Sequence, residues 1–201
     1  MNTQNSTITK LAETALMAAL CYVSFTFLQI KIPVPGGDAT SIHIGNAFCV
    51  LAALLIGGVY GGLSGAIGMG IADLMDPVYI TGAPKTFVLK FCIGLITGLV
   101  AHKIAKINES TDKKYVFKWS VIASVAGLAF NVVADPIVGY FYKQYILGQL
   151  AQALAKMSAV ATLFNAVVSV ILVAVIYNAV RPVLIKSHLL TVTGKKKEQA
   201  A

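Results

Sequence analysis

The sequence predicts an all-α membrane protein with six transmembrane helices and both termini on the cytoplasmic side. The first observation is composition: 57% of the 201 residues are hydrophobic and 12% are charged, whereas a soluble domain is about 25% charged. The second is that the apolar residues fall into six stretches. The third, the distribution of lysines, predicts the orientation.

The six stretches have lengths that suit a bilayer, which needs about 20 mostly apolar residues per helix. They are residues 11–30, 44–59, 60–74, 86–104, 117–141 and 158–184. A single helix over 44–74 would be about 46 Å long, so the glycines of 57–62 are predicted to separate two short helices. Residues 1–201 are thus predicted to form one integral membrane domain, with a short cytoplasmic tail over 186–201.

The lysines and arginines are unevenly shared between the two sides of this arrangement. Eleven of the 16 lie on the side of the termini, which places both termini in the cytoplasm because cytoplasmic segments carry the excess of positive charge. We therefore attribute the formal charge of +8 to membrane orientation, and we expect no nucleic-acid partner.

Small residues recur at four-residue spacing on two predicted helices, and such seams let another helix approach closely. Ala15 and Ala19 form one seam near the cytoplasmic end of the first helix. The third helix carries the second seam, which consists of Gly58, Gly62, Ala66 and Gly70. We favour the interpretation that this seam packs against another helix of the same bundle.

Polar residues in the predicted helices collect on the outer side of the membrane. Because charged and amide groups avoid hydrocarbon, we expect them to face one shared, outward-facing cavity. The candidate substrate-binding residues are His43, Asn46, Asp73, Lys85, Asn131, Asp135, Tyr140 and Asn165. Structural interpretations stay open: lysines such as Lys85 and Lys90 also anchor helices at lipid headgroups, and tyrosines such as Tyr140 also form interfacial belts.

No catalytic motif, metal-ligand spacing or ATP-binding element is recognisable, so we expect no catalytic residue, cofactor or metal. The three cysteines lie in apolar runs and are interpreted as small buried hydrophobes. Two alternatives remain at this stage. One is a stand-alone, ion-coupled small-molecule transporter, and the other is an intramembrane enzyme that uses Asp73 and Asp135.

The segments ATSIHIGNAF and GGVYGGLSGAIGMGIADLMDP, with the six-helix layout and the Ala15/Ala19 seam, resemble a known family. It comprises the substrate-binding S components of energy-coupling factor (ECF) vitamin importers, and the likeness is to the riboflavin-transporter-like group. The resemblance covers about residues 10–185.

The resemblance implies a non-catalytic subunit of a bacterial cell-membrane transporter, with the S-component fold, that binds a water-soluble vitamin or precursor from outside. Ala15 and Ala19 match the family's Ala-xxx-Ala motif, which implies docking to the coupling transmembrane subunit (T). Two cytosolic ATPases (A and A′) would complete the importer. Hydroxymethylpyrimidine or pyridoxine is the favoured substrate, while pantothenate and riboflavin remain possible.

Overall fold

The computed structural model describes residues 3–34, 38–149, 151–187 and 189–190. A 3-10 turn over Ile80–Gly82 precedes the fourth helix, and π-helical turns over Leu99–Ile104 and Tyr142–Ile146 continue the fourth and fifth helices. The elements are, in order, α1 (Thr3–Phe27), β1 (Gln29–Val34), β2 (Asp38–His43), α2 (Gly45–Ile56), α3 (Gly58–Met75), α4 (Ala83–Gly98), α5 (Lys113–Phe141) and α6 (Gln152–Lys186).

The fold is mostly helical rather than all-α, because β1 and β2 form an antiparallel strand pair. Gln29 lies opposite His43, and Val34 lies opposite Asp38. The predicted first helix, 11–30, is therefore wrong at its end: α1 stops at Phe27. Polar and apolar residue types alternate from Gln29 to Ile32, as is typical of a strand, and Pro33 has no N–H with which to continue a helix.

Within the described residues, four helical segments are long and apolar enough to cross a membrane: Thr7–Phe27, Ile80–Ile104, Lys113–Ile146 and Gln152–Lys186. The 12 residues of α2 and the 18 of α3 span about 18 and 27 Å, short of the roughly 30 Å hydrocarbon core. The described residues thus contain the predicted six helices, whereas six full spans and the orientation remain predictions. Beyond residue 190, the predicted tail lies outside the described residues.

Several helix boundaries differ from the prediction for simple reasons. The turn between α2 and α3 contracts to Gly57, whose φ of 96° suits glycine, so α3 begins at Gly58 rather than at residue 60. The predicted starts at 86, 117 and 158 all fall inside longer helices. Hydropathy excluded the polar first turns of these helices, which are nevertheless helical.

The predicted glycine seam of α3 packs inside the molecule, as favoured. A Cβ added to Gly94 of α4 would lie 2.2 Å from the backbone nitrogen of Gly62, and one added to Gly98 would lie 2.2 Å from the Cα atom of Gly58. The two helices therefore touch through their backbones, which requires residues without side chains at these positions.

The short helix α2 lies at the centre of the bundle, where it contacts α1, α3, α4 and α6. Leu54, Val50 and Cys49 on this helix are fully buried. Cys21 is also fully buried, and Cys92 is partly buried; all three cysteines are unpaired. Because protein surrounds α2, its length is set by packing rather than by the thickness of the bilayer.

Candidate functional site

A cavity opens at one end of the helical bundle, where six elements converge. The end of α3 and the start of α4 form one side, the end of α5 and the start of α6 form another, β2 covers it, and Phe25 near the end of α1 also borders it. Its empty space amounts to about 840 Å³ when the open mouth is included. Most residues around it are polar or charged, although the chain as a whole is strongly apolar.

An ion pair joins two helices across the cavity wall. The Nζ atom of Lys85, in the first turn of α4, donates to Oδ1 of Asp135 on α5 at 2.8 Å. The two side chains are 18% and 14% exposed, so both charges are largely removed from solvent. Each charge neutralises the other, and the pair ties the opening turn of α4 to α5.

A second lysine and a second aspartate lie deeper in the same wall. Lys90 is 6% exposed and Asp73 is 4% exposed. Thr86, which also lines the cavity, lies beside the Asp73 carboxylate. Lys90 has a different environment: within the described part of the chain, no carboxylate lies within 4 Å of its ammonium group. The wall therefore contains one cation without a close counter-ion.

Asn165 of α6 forms hydrogen bonds with β2, the strand that covers the cavity. Its Oδ1 accepts from the backbone N–H of His43 at 3.0 Å, and its Nδ2 donates to the carbonyl of Ser41 at 3.0 Å. The side-chain amide thus pairs with one backbone N–H and one backbone carbonyl of β2. These two groups need such a partner because the described residues place no third strand beside the pair.

The ring of His43 is held in one orientation. Its Nδ1 accepts from the backbone N–H of Gly45 at 3.2 Å, which leaves Nε2 as the nitrogen that carries the proton. The ring of Phe25 meets it edge to face, with 4.6 Å between the ring centroids. His43 therefore offers the cavity a positioned hydrogen-bond donor.

The structure brings five of the eight candidate residues to the cavity wall, and these are His43, Asp73, Lys85, Asp135 and Asn165. Asn46 and Asn131 do not line it; both are 1% exposed and lie between helices. Tyr140 does not line it either, because Gly139 occupies the inward face of α5 there. Tyr140 packs edge to face against Phe141 at 5.5 Å between centroids, and Tyr142 reaches the cavity instead.

Sequence reasoning missed several lining residues whose spacing carries a recognisable signal. Ser158, Thr162 and Asn165 lie at positions i, i+4 and i+7 of α6, which places them on one helical face. Thr86 and Lys90 stand four residues apart on α4 in the same way. Ser41, Tyr79 and Lys143 also line the cavity, and no comparable spacing marks them.

Two known proteins resemble the chain. An uncharacterized protein in a gap 3′ region of Pyrococcus woesei is 32% identical over 76 residues, or 38% of this chain and 49% of that protein. The match thus spans about half the length of this relative. The solved structure of ThiT from Listeria monocytogenes has a TM-score of 0.64 at 19% identity, covering 89% of this chain and 98% of ThiT. This likeness shows a shared fold.

The family described as "ECF-type riboflavin transporter, S component" matches residues 5–182. This range includes all the elements that carry the cavity, from α1 and the strand pair to the first half of α6. The chain therefore belongs to the family of ECF-type riboflavin transporter S components.

Proposed function

We propose that the chain is the substrate-binding subunit of an ECF-type importer in a bacterial cell membrane, and that its ligand is a water-soluble vitamin or vitamin precursor. The cavity carries this proposal. In a chain with 12% charged residues, three lysines, two aspartates and a positioned histidine converge on one opening. Polar groups inside an apolar bundle mark substrate sites because they are costly to retain otherwise.

The lining of the cavity supports a vitamin-type ligand, because small-molecule sites carry a small number of placed polar groups that fix the orientation of the ligand. We propose hydroxymethylpyrimidine or pyridoxine as the favoured substrate, with pantothenate and riboflavin as alternatives. His43, Asp73, Lys85, Asp135 and Asn165 would supply the donors and acceptors around a ring. Asn46, Asn131 and Tyr140 would support the wall from behind.

The proposal extends to the partners and to the orientation. With both termini in the cytoplasm, the cavity faces outward, and Ala15 and Ala19 lie around the middle of α1, on the cytoplasmic side of Phe25. Both alanines are exposed on that helix, as a surface that docks a coupling subunit (T) must be. ATP hydrolysis would belong to two separate ATPase subunits, so the chain itself would need no catalytic residue.

Equilibrium binding tests the proposal. The purified chain in detergent is titrated by calorimetry with hydroxymethylpyrimidine, pyridoxine, pantothenate and riboflavin, without ATP. We expect one of them to bind with micromolar affinity or tighter. Uptake in cells should then require co-expression of the coupling subunit and both ATPases. Failure of every vitamin to bind would contradict the proposal, and ion-driven uptake by the chain alone would favour a stand-alone transporter.

A further inference from the structure

Lys90 differs from Lys85, the other lysine of α4 in the cavity wall. Its side chain is 6% exposed and borders the cavity. In the described residues, its ammonium group has neither a carboxylate within 4 Å nor a hydrogen-bond acceptor. A buried charge is ordinarily paired or hydrogen-bonded, because leaving it without a partner is costly. Lys90 therefore lacks the counter-ion that its position calls for.

Neither carboxylate of the wall pairs with Lys90. Asp135 pairs with Lys85, and Asp73 lies more than 4 Å from the ammonium group of Lys90. The described residues therefore supply no direct counter-ion for Lys90, and a negative group that enters the cavity from outside the chain can take that place.

The position of Lys90 is fixed by its neighbours. Leu89 and Ile93 beside it on α4 are 3% and 0% exposed, so this stretch of the helix is packed into the core. The thiol of Cys49 on α2 approaches the backbone carbonyl of Lys90 at 3.5 Å. The ammonium group is consequently presented to the cavity from a rigid base, and a preorganised cation binds an anion with little ordering cost.

We propose, on the basis of the proposed function, that the ligand carries an oxyanion, either a carboxylate or a phosphate, which pairs with the ammonium group of Lys90. Among the proposed substrates, this favours pantothenate or a phosphorylated vitamin over hydroxymethylpyrimidine and pyridoxine themselves. Charge-assisted hydrogen bonds of this kind are about twice as strong as neutral ones. The hydroxyl of Ser158 borders the same cavity and can donate to a remaining oxygen atom. Lys90 is thus the residue that selects an anionic ligand over its neutral counterpart.

Matched ligand pairs test this inference by calorimetry on the full chain in detergent. One pair compares pantothenate with its neutral alcohol, panthenol, and tests a carboxylate. Two further pairs compare pyridoxine and riboflavin with their 5′-phosphates, and test a phosphate. In at least one pair, we expect the anionic member to bind roughly 10- to 100-fold more tightly, as loss of a charged hydrogen bond predicts. The pair that responds identifies the kind of oxyanion.

Variants assign the preference to one residue. Lys90→Met keeps the length of the side chain and should abolish the preference, whereas Lys90→Arg should retain much of it. The matched control is Lys156→Met, which removes a lysine that is exposed on α6 and does not border the cavity. This control should bind like the unmodified chain, which excludes a general effect of net charge.

Three outcomes would overturn the inference. The first is that the neutral members bind as tightly as the anionic members in all pairs. This result would overturn the inference even if Lys90→Met does not fold. The second is that folded Lys90→Met keeps the full preference. In both cases a vitamin still binds and the proposed function stands. The third is that no member of any pair binds; if hydroxymethylpyrimidine also fails to bind, the proposed function is contradicted as well.

Discussion

The ion pair between Lys85 and Asp135 is the strongest polar contact in the cavity wall. Removing one partner leaves the other charge without a counter-ion in a region of low dielectric constant. We expect Lys85→Met and Asp135→Asn each to lower the free energy of unfolding by about 1–3 kcal/mol. This loss is smaller than the ~3–5 kcal/mol that breaking a fully buried pair costs, because the two side chains keep 18% and 14% exposure. The double variant should cost less than the sum. Denaturant unfolding in detergent measures all three.

A second ion pair in the molecule provides the control. Lys31 of β1 pairs with Asp76 after the end of α3, and the Lys31 side chain is 44% exposed. Exposed pairs contribute about 0–1 kcal/mol, so Lys31→Met should change the free energy of unfolding little. Equal losses for Lys31→Met and Lys85→Met would show that burial of the cavity pair has no energetic effect.

Residue types in the sequence predicted the polar character of the site better than they predicted side-chain direction. Asp73, Lys85 and Asp135 could be recognised because a charge within an apolar run has few structural uses. Asn46 and Asn131 carried the same signal but lie between helices. The direction in which a helical side chain points depends on which neighbours surround the helix, and one sequence does not contain those contacts.

At the scale of elements, the strand pair depends on a single side chain from a distant helix. We expect Asn165→Leu to release β2 from α6, because it leaves the N–H of His43 and the carbonyl of Ser41 unpaired. Each buried group without a partner costs about 1–3 kcal/mol. Hydrogen exchange should accelerate at the amide of His43, and the affinity for the ligand should fall because the cover of the cavity loosens.

The same helix offers a matched control for this change. Asn178 lies on α6 and donates within the helix, to the carbonyl of Ala174. Asn178→Leu therefore makes an identical chemical change without touching the strand pair. If exchange at His43 rises equally in both variants, or in neither, the anchoring role of Asn165 is wrong.

The long helices could be predicted from the sequence, and the strand pair could not. The interiors of α5 and α6 are continuous apolar stretches, so composition alone reveals them. The stability of β1 and β2 comes instead from pairing with each other and from Asn165, which lies 122 residues after His43. Local patterns carry little information about such distant contacts, and Pro33 further weakened the strand signal.

At the scale of the whole molecule, the proposed docking seam lies around the middle of α1, whereas the cavity lies at the C-terminal end of this helix. Phe25 borders the cavity, whereas Ala15 lies ten residues earlier, about 15 Å along the helix axis. Ala15 and Ala19 are both exposed on this helix. The proposed importer therefore keeps its substrate site and its docking seam on separate surfaces, and each should be damaged without the other.

This separation leads to a prediction about assembly. A tryptophan at the seam fills the space that a helix of the coupling subunit needs, so Ala15→Trp and Ala19→Trp should abolish co-purification with that subunit and abolish uptake. Vitamin binding by the isolated variants should stay within about twofold, since surface changes far from a site are nearly neutral. Val175→Trp, at a 65% exposed position on α6, is the control for bulk added to a lipid-facing surface and should assemble normally. If both seam variants assemble and support uptake normally, α1 is not the docking helix. If they lose vitamin binding, the seam and the cavity are not independent of each other.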